Sequence, residues 1–408
     1  MTARKVWNTY ANKRVYASLP NVDNTVYSKA GIPIDLCLIR ENIEDVYGAI
    51  EHSQTNDVTQ CRRLVTRPGS EQIHRYAFEV AKQRNAKRVT CGHKANIMKI
   101  TDGMFLETFY KVAKEYPQLK ADDVIIDDLC MKLVMQPQAF DVIVSTNLQG
   151  DIVSDLAAGL IGGLGLSPSA NVGDNIVLFE AVHGTAPDIA GKQLANPTAL
   201  FLSGLMMLRH IGLSHYSNHL RTALLSALKD KCVTQDLIPA GSKAKALKTG
   251  EFAEAIIERF PKELKDTTKV YFDQGIDLSR PNLKQNIMHA SKRDIKTEKT
   301  VGIDVFIDSS LQPKELAATI QKKVNLEKLG LSLIMVSNRG TQVWPTGSVF
   351  TELVNHYRCR LENKKGEALQ ESDLLRVASS LGPELRVCSL EMLRVFGDKK
   401  GYSLAQGQ

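Results

Sequence analysis

The sequence predicts an α/β fold over residues 1–262 and a small α+β domain over 297–408, and three observations carry that expectation. Short apolar runs alternate with longer segments of helical period in the first part, the pattern of an α/β architecture. A polar, lysine-rich stretch of weak periodicity then occupies 263–296, as in a connecting segment. Beyond it, strand-like and helix-like segments resume in a different order. The chain has 408 residues, 43% hydrophobic and 24% charged, which is enough to bury large cores in two or three domains.

The runs "IDLCLI", "RVTCG", "DVIID" and "FDVIVST" read as strands, because buried strands are short and rich in branched apolar residues. "EQIHRYAFEVAKQR" and "TDGMFLETFYKVAKEY" between them place apolar residues on one helical face. "GGLGLSPSANVG" is glycine-rich but lacks the G-x-G-x-x-G spacing and follows a helical pattern, so it reads as a turn. In the last part, strand "VGIDVFID" is followed by helix "PKELAATIQKKV", strands "LSLIMVSN" and "HYRCRLEN", helix "ESDLLRVASSL" and a strand near "LRVCSL". That order is consistent with a split β-α-β sandwich serving as an accessory domain.

The formal charge is +7, but the basic residues are scattered among 45 acidic ones without interleaved aromatics, which argues against nucleic-acid binding. Seven cysteines, Cys37, Cys61, Cys91, Cys130, Cys232, Cys359 and Cys388, are odd in number and widely spaced, as for reduced thiols. The N-terminal "MTARKVWNTYANKRVY" has no apolar signal core, and no long uninterrupted apolar window exists, so neither export nor a membrane is expected.

"NLQGDIVSDLAAGL" places Asp151 and Asp155 four residues apart at the start of an apolar helix, so both carboxylates share one face. Taken alone, the pair is explained as readily by helix capping and the dipole as by a cation. "RENIEDVYGAIE" supplies Arg40, a bidentate carboxylate partner, and Tyr47, a phenol able to donate a proton. "GHKANIMKITDG" supplies Lys94, by default a solvated lysine. "HGTAPDIAGKQLANP" places His183, Gly184, Thr185 and Ala186 in a loop of small residues open to a flat ligand, with Asp188 and Asn196 as polar contacts.

Together these motifs resemble the isocitrate/isopropylmalate dehydrogenase family, and "RENIEDVYGAIE" and "HKANIMKITDG" resemble its isocitrate-specific members most. The resemblance implies that family's three-layer α/β fold and the metal-dependent oxidative decarboxylation of isocitrate. Homoisocitrate dehydrogenation and a catalytically impaired regulatory subunit stand as alternatives. Arg4, Arg14 and Arg40 resemble the arginines that hold the substrate carboxylates. Tyr47 resembles the acid that protonates the enol after loss of carbon dioxide, and Lys94 the residue that manages the hydroxyl proton. Asp127, Asp151 and Asp155 resemble the ligands of Mg²⁺ or Mn²⁺, a hard-cation donor set. Lys94 and Asp127 would come from the neighbouring subunit, which implies a homodimer with shared active sites.

The resemblance also implies a nicotinamide cofactor held by His183, Gly184, Thr185, Ala186, Asp188, Ile189 and Asn196. Asp188 and Ile189 stand where NADP-dependent relatives carry a Lys-Tyr pair, and Gln235 and Pro239 where they carry Tyr and Arg. A carboxylate at Asp188 would accept the ribose hydroxyls and repel a phosphate, so NAD is the expected cofactor. Family members carry a strand and a glycine-rich turn upstream of the residue matching Arg4, so the chain is expected to be N-terminally incomplete. A cytoplasmic location, or the mitochondrial matrix in a eukaryote, completes the expectation.

Overall fold

Between Asp35 and Glu41, every side chain after the first is buried, and alternate residues enter different cores: Leu36 and Leu38 one, Cys37 and Ile39 the other. A strand with period-two side chains and apolar residues at both phases must be covered on both faces. The rest of the first unit follows from that requirement.

The computed structural model describes residues 2–22, 24–238, 241, 244–260, 298–347, 351–381 and 385–403. The proposed linker at 263–296 and Pro239 lie outside the described residues. In chain order the first elements are α1 (Thr2–Val6), β1 (Ala11–Ala17), α2 (Val26–Lys29), β2 (Asp35–Glu41), β3 (Glu51–Ser53), β4 (Thr59–Cys61), α3 (Arg67–Gln83), β5 (Arg88–His93) and α4 (Thr101–Ala113). Then come β6 (Lys120–Ile125), α5 (Ile126–Met135), β7 (Val142–Ser145), α6 (Asn147–Ile161), β8 (Pro168–Val172), β9 (Val177–Ala181), α7 (Thr198–His210), α8 (Ser214–Lys229) and α9 (Thr249–Glu258).

The seven-stranded sheet has the order β6-β5-β7-β2-β1-β8-β9. Its first four strands are parallel, while β1 runs antiparallel to β2 and β8, and β9 antiparallel to β8. Helices α3 and α4 cover one face through Ile73, Tyr76, Phe78, Phe105 and Phe109. The other face carries α5, α6 and α7, with α8 and α9 contributing Leu224, Leu228 and Phe252 to the same core. The result is the three-layer α/β fold expected from the alternating runs.

Parallel strands of this kind deliver the segments after their carboxyl ends to one edge of the sheet, where open α/β sheets bind ligands. Arg40 closes β2, Lys94 follows β5, Asp127 opens α5 after β6, and Asp151 lies on the helix after β7. The glycine-rich "GGLGLSPSANVG" is a turn only in its first half. Gly162 caps α6 at φ +119 and Gly163 follows at φ +124, conformations that favour glycine. Residues 168–172 then form β8, with Pro168 at the first strand position, where a missing N–H is tolerated.

The chain divides into two compact units, Met1–Gly48 with Arg63–Met288, and Ala49–Arg62 with His289–Gln408. Residues 49–62, included in the first domain by the sequence-based boundary, form the β3–β4 hairpin and group with the second unit. That unit continues with β10 (Glu298–Asp308), α10 (Pro313–Lys323), β11 (Ser332–Asn338), β12 (Thr341–Trp344), β13 (His356–Glu362), α11 (Glu371–Leu381), β14 (Arg386–Phe396) and β15 (Lys399–Lys400). Its antiparallel sheet has the order β12-β11-β13-β10-β14-β15, which contains the split β-α-β arrangement plus two short strands missed in sequence. Ile303, Val305, Cys359 and Leu361 pack with Leu316 and Ile320 of α10 and Leu374 and Val377 of α11.

The alternate residues of that sheet are polar: buried Arg360 and Asp304 form a bidentate pair at 2.8 and 2.7 Å. The hairpin joins the same unit through Thr55 to Asn355 at 3.0 Å, Ser389 to Gln54 at 3.0 Å and Arg62 to Glu391 at 2.7 Å. All seven cysteines are free thiols. No helix among the described residues is long and apolar enough to cross a membrane.

Candidate active site

Gly150 lets α6 lie against the end of β2, since a Cβ there would meet the Arg40 Cγ at 2.9 Å and its Cβ at 3.0 Å. That close approach aims the next residue, Asp151, at the arginines. Arg40 donates to Asp151 Oδ1, and its Nε donates to Asn147 Oδ1 at 2.9 Å. The Tyr47 hydroxyl donates to Asp151 Oδ2 at 2.6 Å, and its ring lies 5.0 Å from the Arg40 guanidinium. Arg14 reaches in from β1, 3.5 Å from Asp151 and 3.9 Å from Asp155, while also donating to Ser154.

Burial raises the Tyr47 hydroxyl above its usual range and its bond to Asp151 raises it further, so the phenol is protonated at neutral pH. Burial also raises Asp155; proximity to Asp151 adds to this, against the opposing pull of Arg14 and Arg40. Asp155 keeps a 62% exposed side chain, and among the described residues its one ion pair is the distant contact with Arg14 at 3.9 Å. Two carboxylates on one helix face, one of them weakly compensated and open to solvent, suit a hard divalent cation.

Lys94 and Asp127 form a second cluster, joined to each other at 2.5 Å. Lys94 holds the carboxyl of Asp127 below the usual range, and the Asp127 side chain is 69% exposed. Among the described residues, no three His, Cys, Asp or Glu side chains of one chain gather closely enough to hold a metal ion. Asp151 and Asp155 therefore come together within a chain, and Asp127 does not join them there.

Arg4 stands apart from Asp151. It donates to Glu180 Oε1 at 2.6 Å and to Asn42 Oδ1 at 3.3 Å. Sequence reading missed the buried amides around it: Asn171 accepts from Asn12 and Asn42, both at 3.0 Å, and donates to Glu180 at 2.7 Å. The signal was present as polar residues inside "ANKRVYA" and "PSANV", strands whose every position is buried. Also missed was Glu41, whose carboxylate accepts from the backbone N–H groups of Ile43 and Glu44 and is pushed by burial to about 7.

The loop after β9 and the start of α9 enclose a cavity of about 500 Å³. His183, Gly184, Thr185, Ala186, Ile189 and Asn196 line it, together with Gln193, Asp236 and Thr249, which sequence reading did not single out. Ala186 takes the left-handed conformation at φ +43, turning the loop around the opening. Asn196 donates to Asp236 at 3.0 Å, closing the wall. Asp188 is exposed and is not among the lining residues.

Residues 1–256 match the profile of the isocitrate/isopropylmalate dehydrogenases. The chain belongs to this family. Residues 298–408 match the profile of the bacterial isocitrate dehydrogenase C-terminal domain. A Thermus thermophilus protein named isocitrate dehydrogenase [NADP] is 41% identical over 100% of this chain and 80% of its own length. One of the same name from Rickettsia felis is 37% identical over 100% of this chain and 82% of its own. A crystal structure of a protein from Thermus thermophilus superposes with a TM-score of 0.90 at 39% identity, covering 100% of this chain and 80% of the other.

Both relatives are named for NADP, which overturns the expectation of NAD and of an NAD-dependent enzyme. The physical reason lies in Asp188. Read as a phosphate-repelling carboxylate inside the site, it lies outside the cavity lining, so its charge is solvated instead of opposing a ligand. The coverages do not place the unmatched fifth at either end of the relatives, so they lend no support to an N-terminally incomplete family member.

Proposed function

We propose that this family member oxidises and decarboxylates isocitrate to 2-oxoglutarate with NADP, with Mg²⁺ or Mn²⁺ bound, as a homodimer whose two sites each draw on both chains. The observation that carries the reading is the convergence of Arg14, Arg40 and Tyr47 on Asp151 beside Asp155. Buried guanidinium groups recognise carboxylates bidentately, which suits a tricarboxylate substrate. When bound, the cation would polarise the substrate hydroxyl and carboxylate oxygens, and NADP would accept the hydride.

The remaining steps belong to side chains. Arg14 and Arg40 orient the substrate carboxylates while their other donors stay anchored on Asn12, Ser154 and Asn147. Lys94 and Asp127, joined to each other, manage the hydroxyl proton together, the carboxylate accepting it as the ammonium holds the oxygen that loses it. Tyr47, protonated at neutral pH, delivers a proton to the carbon from which carbon dioxide has left.

An apolar stripe supports the dimer. Asp127, Met131, Val134 and Met135 recur at helical spacing on α5, and the three apolar members are more than half exposed. On α6, Leu148 and Ile152 are exposed beside Asp151 and Asp155. A second copy covering both stripes brings its Lys94 and Asp127 toward this chain's Asp151 and Asp155, completing the ligand set that one chain leaves at two.

Steady-state reduction of NADP and of NAD, with isocitrate and with homoisocitrate, each with and without Mn²⁺, tests the reading. Turnover of isocitrate that needs Mn²⁺ and prefers NADP supports it. Preference for homoisocitrate, or binding of isocitrate without turnover, refutes it.

A further inference from the structure

We infer that Arg63 is a positioning residue for the reaction, a single guanidinium that sets Tyr47, Lys94 and the start of α6 relative to one another. The inference rests on the function proposed above. Arg63 lies between two carboxylates that are 1% and 0% exposed, those of Asp45 and Asp102. Its Nε donates to Asp45 Oδ1 at 2.7 Å, its Nη1 to Asp102 Oδ1 at 2.5 Å, and its Nη2 to Thr146 Oγ1 at 2.7 Å.

Each carboxylate spends its other bonds on a segment that carries a site residue. Asp45 accepts from the backbone N–H of Val46 at 2.9 Å, next to Tyr47, and from that of Leu148 at 3.0 Å, in the first turn of α6. Asp102 accepts from the backbone N–H of Lys94 at 2.7 Å and from the Gln149 amide at 2.9 Å. Thr146, which precedes α6, makes no side-chain capping bond; Asp45 serves the helix end in its place. Asp45 itself is held at φ +71, a conformation a non-glycine residue keeps only where its surroundings enforce it. Its backbone N–H donates to the carbonyl of Leu64 at 2.9 Å, the residue after Arg63.

Two buried carboxylates facing one cation hold their places only while the cation is present and correctly shaped. A lysine supplies the charge but not the planar fork that reaches three acceptors at once. Arg63 touches neither the acidic pair nor the cavity of the cofactor loop, so its effect passes through Asp45 and Asp102. Proton handling by Lys94 and Tyr47 is what that effect reaches, because their placement governs the rate more than the grip on the substrate.

Arg63→Lys in the full chain is expected to lower kcat by about ten- to a hundredfold while KM for isocitrate stays within about threefold. Arg62→Lys, which alters only the contact with Glu391, is expected to leave both unchanged. Amide hydrogen exchange read residue by residue gives an independent measure. In Arg63→Lys the amides of Lys94 and Leu148 exchange faster, with the core of α3 as slow as before. In Asp102→Asn the rise is confined to Lys94. Unchanged kcat, unchanged exchange at both amides, or a rise spread across the whole unit overturns the inference. If the unaltered protein does not turn over isocitrate, the proposed function fails, and the amide pattern alone decides whether Arg63 couples the segments.

Discussion

The Tyr47 hydroxyl shows how surroundings fix a residue's chemistry. It donates to Asp151 at 2.6 Å, and burial, with that bond adding to it, raises its pKa and leaves it a proton donor across the neutral range. Tyr47→Phe keeps the ring over Arg40 and removes the proton. We expect kcat to fall by about a hundredfold with thermal stability nearly unchanged, and a kcat within twofold of the parent would remove Tyr47 from the reaction. Glu41, one residue beyond Arg40, gives a pH signature. Burial moves its carboxyl from 4.5 to about 7 in the fold. A raised carboxyl pKa contributes stability that is complete below 4.5 and is lost as pH rises through about 7. The difference corresponds to about 3 kcal/mol as an upper order of magnitude. Melting temperatures of the parent and Glu41→Gln, compared from pH 4.5 to 8, are expected to shift in favour of the variant as pH rises; a constant gap would contradict the assignment.

At the scale of elements, α6 is the component on which the site is built. Its first turn carries Asn147, which holds the Arg40 Nε, and Asp151 follows one turn later, so its axial position sets both. Gly150 makes that position possible. Gly150→Ala pushes a methyl into the Arg40 side chain at 2.9 to 3.0 Å and is expected to cost about 1–3 kcal/mol and to impair catalysis together. Gly204→Ala on α7, where the new methyl meets nothing within 4 Å, is expected to stabilise by about 0.5–1 kcal/mol. Chemical denaturation of both variants reads the contrast, and equal effects would show that helix propensity, not the approach to β2, decides at Gly150.

At the scale of the whole molecule, sharing of sites across two copies is open to a complementation test. Lys94→Ala and Asp155→Asn each inactivate both sites of their own homodimer. Mixed and re-associated, half of the dimers are hybrids and each hybrid regains one intact site, so activity returns to about a quarter of the parent's. No recovery, with hybrids confirmed by native mass spectrometry, would mean that Lys94 serves its own chain. Ile152→Lys places a charge in the exposed stripe of α6 and is expected to lower dimer content and activity in parallel, which sedimentation and assay follow on one sample.

The sequence by itself determined the three-layer architecture, because apolar runs such as "IDLCLI" bury both phases of a strand and leave no alternative to helices on each face. Only the tertiary structure decided the rest. Arg40 and Asp151 stand at the carboxyl edge of neighbouring parallel strands, where Arg14 and Tyr47 also reach Asp151 while Arg4 and Asp127 do not, a gathering set by strand pairing. Whether Asp188 lines the cavity depends on how the loop after β9 folds around Ala186, and a residue type carries no information about that. The Arg63 cluster joins residues 45, 63, 102 and 146, and its members are ordinary charged residues until the fold buries them together. Charges become informative through desolvation, and desolvation is a property of packing that local spacing does not encode.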